Sequence, residues 1–334
     1  MSRILHLADR LPPRAAAPDL PEEVAAVVRE IQGSTPAGAP LPLLRRRYAE
    51  IRRALGPEPP VLASLREETI PGPGGPLRLR LYRPSFSWKP VPALLFLHGG
   101  GWTVGDLDSH DTLCRQLALA TGQAVVAVDY RLSPEHPFPA ALDDARAALS
   151  WLVEHARLLA IDPAAIGLAG DSAGGNLAAV LALEARDRGY PAPACQILVY
   201  PALDLVATAA SHQRRAEGYL LDRDTYLGWI GNYLGRTGRA LDWRVSPLRA
   251  DRFDGLPPTV IVTAGFDPLL DEGRAYAGRL AEAGVPIIHL HEPTMIHGFL
   301  TMGGRLPAAN RTIAAIGRAL AGFDVYGLRD GAGI

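Results

Sequence analysis

The sequence predicts an α/β architecture in which a mostly parallel central sheet is covered by helices on both faces. Three observations predict it. Short continuous apolar runs recur along the chain, segments of helical periodicity alternate with them, and turn residues bound both kinds. The 334 residues, 48% hydrophobic and 21% charged, suit one expanded α/β domain or about two smaller ones.

In chain order, residues 1–60 are rich in Pro, Ala and Arg, with helical patches at Glu22–Gln32 and Leu43–Leu55 separated by Gly33–Pro42. From about Arg66 the texture changes. Leu77–Arg83 alternates as a strand after a Pro/Gly turn. Apolar strands follow at Ala93–Leu97, Ala124–Asp129, Ile166–Ala169, Gln196–Tyr200, Thr259–Ala264 and Pro286–Leu290. Helices fall at Pro139–His155, Leu177–Arg186, Arg274–Ala283 and Ala308–Leu320. Asp204–Val245 breaks this rhythm with aromatic residues, Arg and Gly in helix-like pieces. It reads as an insertion at the strand ends, where open α/β sheets bind ligands.

Charge and composition exclude several classes of function. With 34 basic against 35 acidic residues the net charge is −1, so no global field favours nucleic acid or an anionic membrane. Apolar runs such as Leu177–Leu183 fall far short of the ~20 residues a membrane-spanning helix needs. Lys89 is the single Lys among the basic residues, a bias that codon usage explains more simply than anion recognition. Cys114 and Cys195 stand isolated in apolar surroundings, which argues for buried free thiols and against a disulfide scaffold or zinc site. Arg3, His6, Asp9 and Arg10 interrupt any signal-peptide apolar core, and the expected location is cytoplasmic.

Two glycine-rich motifs stand at strand ends. Gly170-Asp171-Ser172-Ala173-Gly174 follows one strand and opens a helix. Its glycines permit a strand-to-helix turn too tight for larger side chains, so that the Ser172 hydroxyl projects above the sheet. The helix N-terminus adds positive potential and free N–H groups. His98-Gly99-Gly100-Gly101-Trp102 follows an earlier strand, and its consecutive glycines leave amides unobstructed for a developing oxyanion. Gly100, Gly101 and Ala173 are the expected donors, while His98 shapes the loop.

A nucleophilic serine needs a base, and the base needs an acid that fixes its tautomer. His297, in Ile296-His297-Gly298-Phe299 beyond the last strand, is the best placed of the nine His. Asp267, ending the strand Thr259–Ala264, is the favoured acid on placement; Asp204 is its rival and Asp271 lies a helical turn further on. The order Ser172, Asp267, His297 matches that of α/β-hydrolases. His289 and His291 alternate on one strand, but without clustered Cys or carboxylates they are expected to be surface histidines, not a metal pair.

These motifs make the chain resemble an α/β-hydrolase of the hormone-sensitive-lipase family, in its bacterial carboxylesterase branch. The resemblance covers roughly Glu67 to Leu320. It rests on His98–Trp102, on Tyr130-Arg131-Leu132-Ser133-Pro134-Glu135-His136-Pro137-Phe138-Pro139-Ala140, and on Gly170–Asn176, Asp267–Gly273 and His297–Phe299. It implies hydrolysis of a small uncharged carboxylic ester of short-to-medium acyl length, through Ser172, Asp267 and His297, with no cofactor and no metal. It also implies a helical cap made of 1–60 and 204–247 over a catalytic core of 61–203 and 248–334, in a monomer or homodimer. Tyr130–Ala140 is carried over as structural, with Asp143 or Asp144 available to pair with Arg131. Trp102 is expected to line the acyl side of the pocket or to pack in the core. Tyr219, Trp229, Tyr233 and Trp243 are expected to roof the pocket or to form the core of the cap. The same machinery would also serve an amide deacylase, a lactonase or an acyl-transfer enzyme. A non-catalytic binding role, as in the similar plant gibberellin receptors, is disfavoured because those depart at the histidine position, where this chain keeps His297.

Overall fold

The computed structural model describes residues 16–34, 39–87, 89–188 and 192–323. The polar N-terminal residues Arg3, His6, Asp9 and Arg10, and with them 1–15 of the segment 1–60, lie outside these.

Among the described residues eight strands form one sheet: β1 (Ser64–Gly72), β2 (Gly75–Arg83), β3 (Val91–Leu97), β4 (Ala124–Val128), β5 (Ile161–Asp171), β6 (Gln196–Val199), β7 (Thr259–Phe266) and β8 (Ile287–Ile296). Their spatial order is β1-β2-β4-β3-β5-β6-β7-β8. The β1/β2 and β2/β4 pairs are antiparallel, and all later pairs are parallel. The chain is an α/β-hydrolase fold, as the motif order implies.

The helices are α1 (Glu22–Ser34), α2 (Leu41–Leu55), α3 (Asp111–Thr121), α4 (Ala140–His155), α5 (Ala173–Arg188), α6 (Ser211–Arg214), α7 (Arg223–Leu234), α8 (Leu270–Glu282) and α9 (Pro307–Gly322). Strand β3 shows why its sequence is continuously apolar. Ala93, Leu95 and Leu97 join the core under α4, α5 and α8, whereas Leu94 and Phe96 join the opposite core under α3 and α9. No described helix is long and apolar enough to cross a membrane.

Two elements escape the periodicity reading. Strand β1 is an edge strand with only Ile70 buried, so charged Arg66, Glu67 and Glu68 replace the usual alternation. Helix α3 is missing from that reading, although Leu113, Cys114, Leu117 and Ala118 recur at helical spacing and are all buried. Strand β8 also runs past Leu290 to Ile296, through Pro293, which an edge strand tolerates. At this extension the β7/β8 register shifts between Ala264 and Phe266, and a side chain at Gly265 would meet the Pro293 carbonyl oxygen at 2.0 Å. The extension delivers His297 to the strand ends.

The stretch 204–247 carries α6 and α7, and Tyr226, Ile230, Tyr233 and Val245 pack into the core shared with α4 and α5. It is bonded to the N-terminal segment: the Ala17 amide donates to the Gly218 carbonyl, and Tyr219 and Arg215 donate to the Asp19 carboxylate.

Candidate active site

Ser172 sits between β5 and α5 with φ at +54°, a left-handed conformation costly for a residue with a side chain. The turn is held by the Ser172 amide bonding to the Val199 carbonyl at 2.9 Å. Its glycines are fixed by contact: a Cβ at Gly170 would lie 2.4 Å from Gly174 backbone, and one at Gly174 would lie 1.8 Å from the Leu97 carbonyl oxygen. Strain and close approach together raise the hydroxyl above the sheet edge.

His297 Nε2 lies 2.8 Å from Ser172 Oγ, and His297 Nδ1 lies 2.8 Å from Asp267 Oδ2. The other Asp267 oxygen accepts the Leu269 amide at 2.8 Å, so the carboxylate keeps one lone-pair face for the imidazole. All three groups are nearly sealed, with Ser172 and His297 each 7% exposed and Asp267 1%. The rival carboxylates are engaged elsewhere. Asp204 pairs with Arg249, and Asp271 accepts from the Ser211 amide and from Arg214.

The loop after β3 is braced from four sides. Asp171 Oδ1 accepts the Gly99 amide at 2.7 Å, and the Tyr130 hydroxyl donates to the His98 carbonyl at 2.6 Å. The Ser133 amide and hydroxyl both donate to the Trp102 carbonyl, and Arg45 donates to the Thr103 carbonyl. Among the described residues, no acceptor takes the amides of Gly100, Gly101 or Ala173. Gly100 and Gly101 have φ of +121° and +58°. The motif Tyr130–Ala140 thus supports this loop, and its Arg131 clamps Asp144 through both carboxylate oxygens, while Asp143 pairs with Arg146.

Behind the loop, Asp171 is fully enclosed. Burial pushes its carboxyl upward, but His110, the Gly99 amide and Arg52 outweigh burial and hold it below the ordinary range. His110 Nε2 approaches Asp171 at 3.3 Å, an electrostatic contact outside hydrogen-bond geometry. His98 stacks on Tyr130 at 4.2 Å and donates from Nδ1 to the Gly99 carbonyl, a role in shaping the loop. Its pKa is pushed down to about 4 by burial and by neighbouring His110.

Trp102 differs from the lining expectation. It has no exposed surface and stacks on Tyr233 at 4.2 Å, so the core of the cap-side helices takes the ring that a ligand would otherwise meet. Trp229 of α7 stands against Gly101, where its ring would lie 2.4 Å from an added Cβ. Of the other three aromatics, Tyr219 and Tyr233 are buried and Trp243 packs partly buried against the core. His289 and His291 share Thr263 Oγ1, and no cluster of metal-binding type occurs among the described residues. Cys114 and Cys195 are buried and are not joined in a disulfide. A cleft of about 640 Å³ is lined by Arg52, Arg80, Asp108, Asp111 and Arg115, none of them a reacting group.

Sequence reasoning missed Asp171, Arg45 and Arg52 as parts of the site. Asp171 could have been found from an acid set among small residues beside Ser172. The two arginines carry no local signal, because their partners are distant in the chain.

A family model described as alpha/beta hydrolase fold matches residues 94–301, and the chain belongs to that family. Within it the chain falls in the hormone-sensitive-lipase-like branch. It is 42% identical to carboxylesterase NlhH of Mycobacterium tuberculosis over 279 residues, 80% of this chain and 87% of the relative. It is 37% identical to ethyl acetate hydrolase of Pseudomonas putida over 309 residues, 89% of this chain and 97% of the relative. Among solved structures it is similar to the hyperthermophilic esterase of Pyrobaculum calidifontis. That match has a TM-score of 0.85 and 34% identity, and covers 92% of this chain and 99% of the other.

Proposed function

We propose that this chain is a serine carboxylesterase acting on small uncharged esters of short-to-medium acyl length. The observation that carries the reading is the unbroken line Asp267–His297–Ser172, with 2.8 Å at each contact. His297 Nε2 takes the Ser172 proton as Oγ attacks the ester carbonyl carbon, and Asp267 holds Nδ1–H and stabilises the imidazolium. The carbonyl oxygen becomes an oxyanion bound by the amides of Gly100, Gly101 and Ala173. Collapse breaks the bond to the alkoxy group, which leaves as the alcohol with the proton from His297. Water, deprotonated by His297, then attacks the acyl-enzyme and releases the acid.

Residues 1–60 and 204–247 act in this reading as a cap over the core of 61–203 and 248–334. Support comes from the bonds joining Asp19 to Tyr219 and Arg215, and from Trp229 lying against Gly101. The crowding of that glycine favours compact acyl groups, and the esterase names of the relatives favour carboxylic esters over amides.

The test is hydrolysis of p-nitrophenyl acetate by the wild type and by Ser172→Ala. The variant is expected to lose about 10⁴-fold or more of kcat. An unchanged rate would refute the nucleophile, and a wild type that also resists a serine-directed organophosphate would refute the enzyme reading.

A further inference from the structure

Helix α2 carries Arg45, Tyr48 and Arg52 at spacings of three and seven residues, which places them on one face. Seven residues of helix separate the two arginines by about 10 Å along the axis. Each reaches a different loop beside Ser172. Arg45 Nε donates to the Thr103 carbonyl at 2.9 Å and Nη2 to the Ser133 carbonyl at 3.2 Å, while Glu135 holds the guanidinium from behind. Thr103 closes the glycine loop, since its amide bonds to the Gly100 carbonyl and its hydroxyl to the Gly101 carbonyl. Arg52 Nη1 donates to Thr301 Oγ1 at 2.9 Å and approaches the Gly298 carbonyl at 3.4 Å. Gly298 directly follows His297 and has φ of +78°, with Arg52 Nη2 occupying the space 3.1 Å from where a Cβ would stand. Tyr48 lies between, its ring 4.8 Å from the Arg52 guanidinium and 6.3 Å from the His110 ring. The end of α2 is itself bonded to the loop after His297, through the Gly304 amide and the Leu55 carbonyl.

The geometry points to α2 as a strap in which Arg45 and Arg52 are positioning residues, holding the oxyanion amides and the His297 loop in register across Ser172. This rests on the esterase reading above and deepens it. Both arginines grip backbone carbonyls of loops that present groups to the reaction, so their bonds fix where those groups stand. Neither contacts Ser172, Asp267 or His297 among the bonds described. A planar guanidinium meets several acceptors in fixed directions, which an ammonium cannot reproduce.

The experiment uses the full chain with Arg45→Gln, Arg52→Gln, Arg45→Lys and Arg52→Lys, each followed by thermal unfolding and by p-nitrophenyl acetate kinetics. Each glutamine variant is expected to lose about tenfold in kcat with KM within about twofold, because sub-ångström misplacement taxes the transition state more than binding. The lysine variants recover part of the loss. Two inhibitors separate the loops. Arg45→Gln weakens a trifluoromethyl ketone, whose adduct needs the oxyanion amides, in proportion to kcat. Arg52→Gln slows phosphonylation by an organophosphate, which needs His297 to activate Ser172. A lowered Tm with wild-type kcat would overturn the proposal, as would kcat losses unaccompanied by these inhibitor shifts. Thr301→Val, which removes the Arg52 acceptor without touching α2, gives a smaller loss of the same kind if the strap acts as described. Wild-type turnover abolished in Ser172→Ala, together with unaffected arginine variants, would sink the strap alone. Absence of wild-type turnover would sink the esterase reading itself.

Discussion

His98 offers a quantitative test of how the glycine loop is built. It is 2% exposed, stacked on Tyr130, and 5.5 Å from the His110 ring. Burial first and the His110 charge second push its pKa from 6.5 to about 4, against weaker opposition from the Gly99 carbonyl, Asp129 and Asp171. The folded chain therefore binds fewer protons here than the unfolded one. Stability from this group is complete above pH 6.5 and drains away as the pH falls toward 4. At 1.36 kcal/mol per pKa unit the full effect approaches about 3 kcal/mol, of which about 2 is lost between pH 7 and pH 4.5. His98→Asn removes the titration while its amide can still donate to the Gly99 carbonyl. It also forfeits the stack on Tyr130, about 1 kcal/mol at every pH. Urea unfolding of both proteins at pH 7, 5.5 and 4.5 separates the two effects. The wild type should start about 1 kcal/mol more stable at pH 7 and end about 1 kcal/mol less stable at pH 4.5, so that the two curves cross. Parallel stability curves would refute a neutral, desolvated His98.

Other outcomes follow from the same contacts. Gly101→Ala forces a side chain into a residue at φ +58° and against Trp229, and should cost about 10²-fold in kcat while leaving Tm within a few degrees. Arg131→Leu strands the Asp144 carboxylate, whose side chain is 2% exposed, and should destabilise the chain by about 2 kcal/mol in denaturant titration. Cys114 and Cys195 should ignore a thiol reagent in the native protein and both react in urea, since they are buried and burial raises the Cys114 thiol far above its ordinary range. Rapid labelling of the native protein would contradict their placement in the core.

Much of this molecule was legible in one dimension because its strongest signals are local. Strand β3 shows both buried faces as an uninterrupted apolar run, and Gly170 to Gly174 encode a turn that only those residue types can close. The positions of Ser172, Asp267 and His297 beyond strand ends likewise follow from neighbours in sequence. Strand β1 hid because an exposed edge needs no alternation, and the last turn of β8 hid because Glu292, Pro293 and Thr294 interrupt its apolar pattern. Trp102 could be placed beside the loop from sequence, but not oriented; its stack on Tyr233 depends on a helix 131 positions away.

Sequence by itself therefore determined the layered α/β fold, the order of the motifs and the residue types gathered at the strand ends. Those depend on local periodicity and on steric demands between near neighbours. Only the tertiary structure decided which carboxylate meets His297, which amides are left without acceptors, and that Asp171, Tyr130, Ser133, Arg45 and Arg52 brace the loops around Ser172. Those choices are hydrogen bonds between groups separated by 30 to 249 positions, set by how the elements pack, and no local pattern records them.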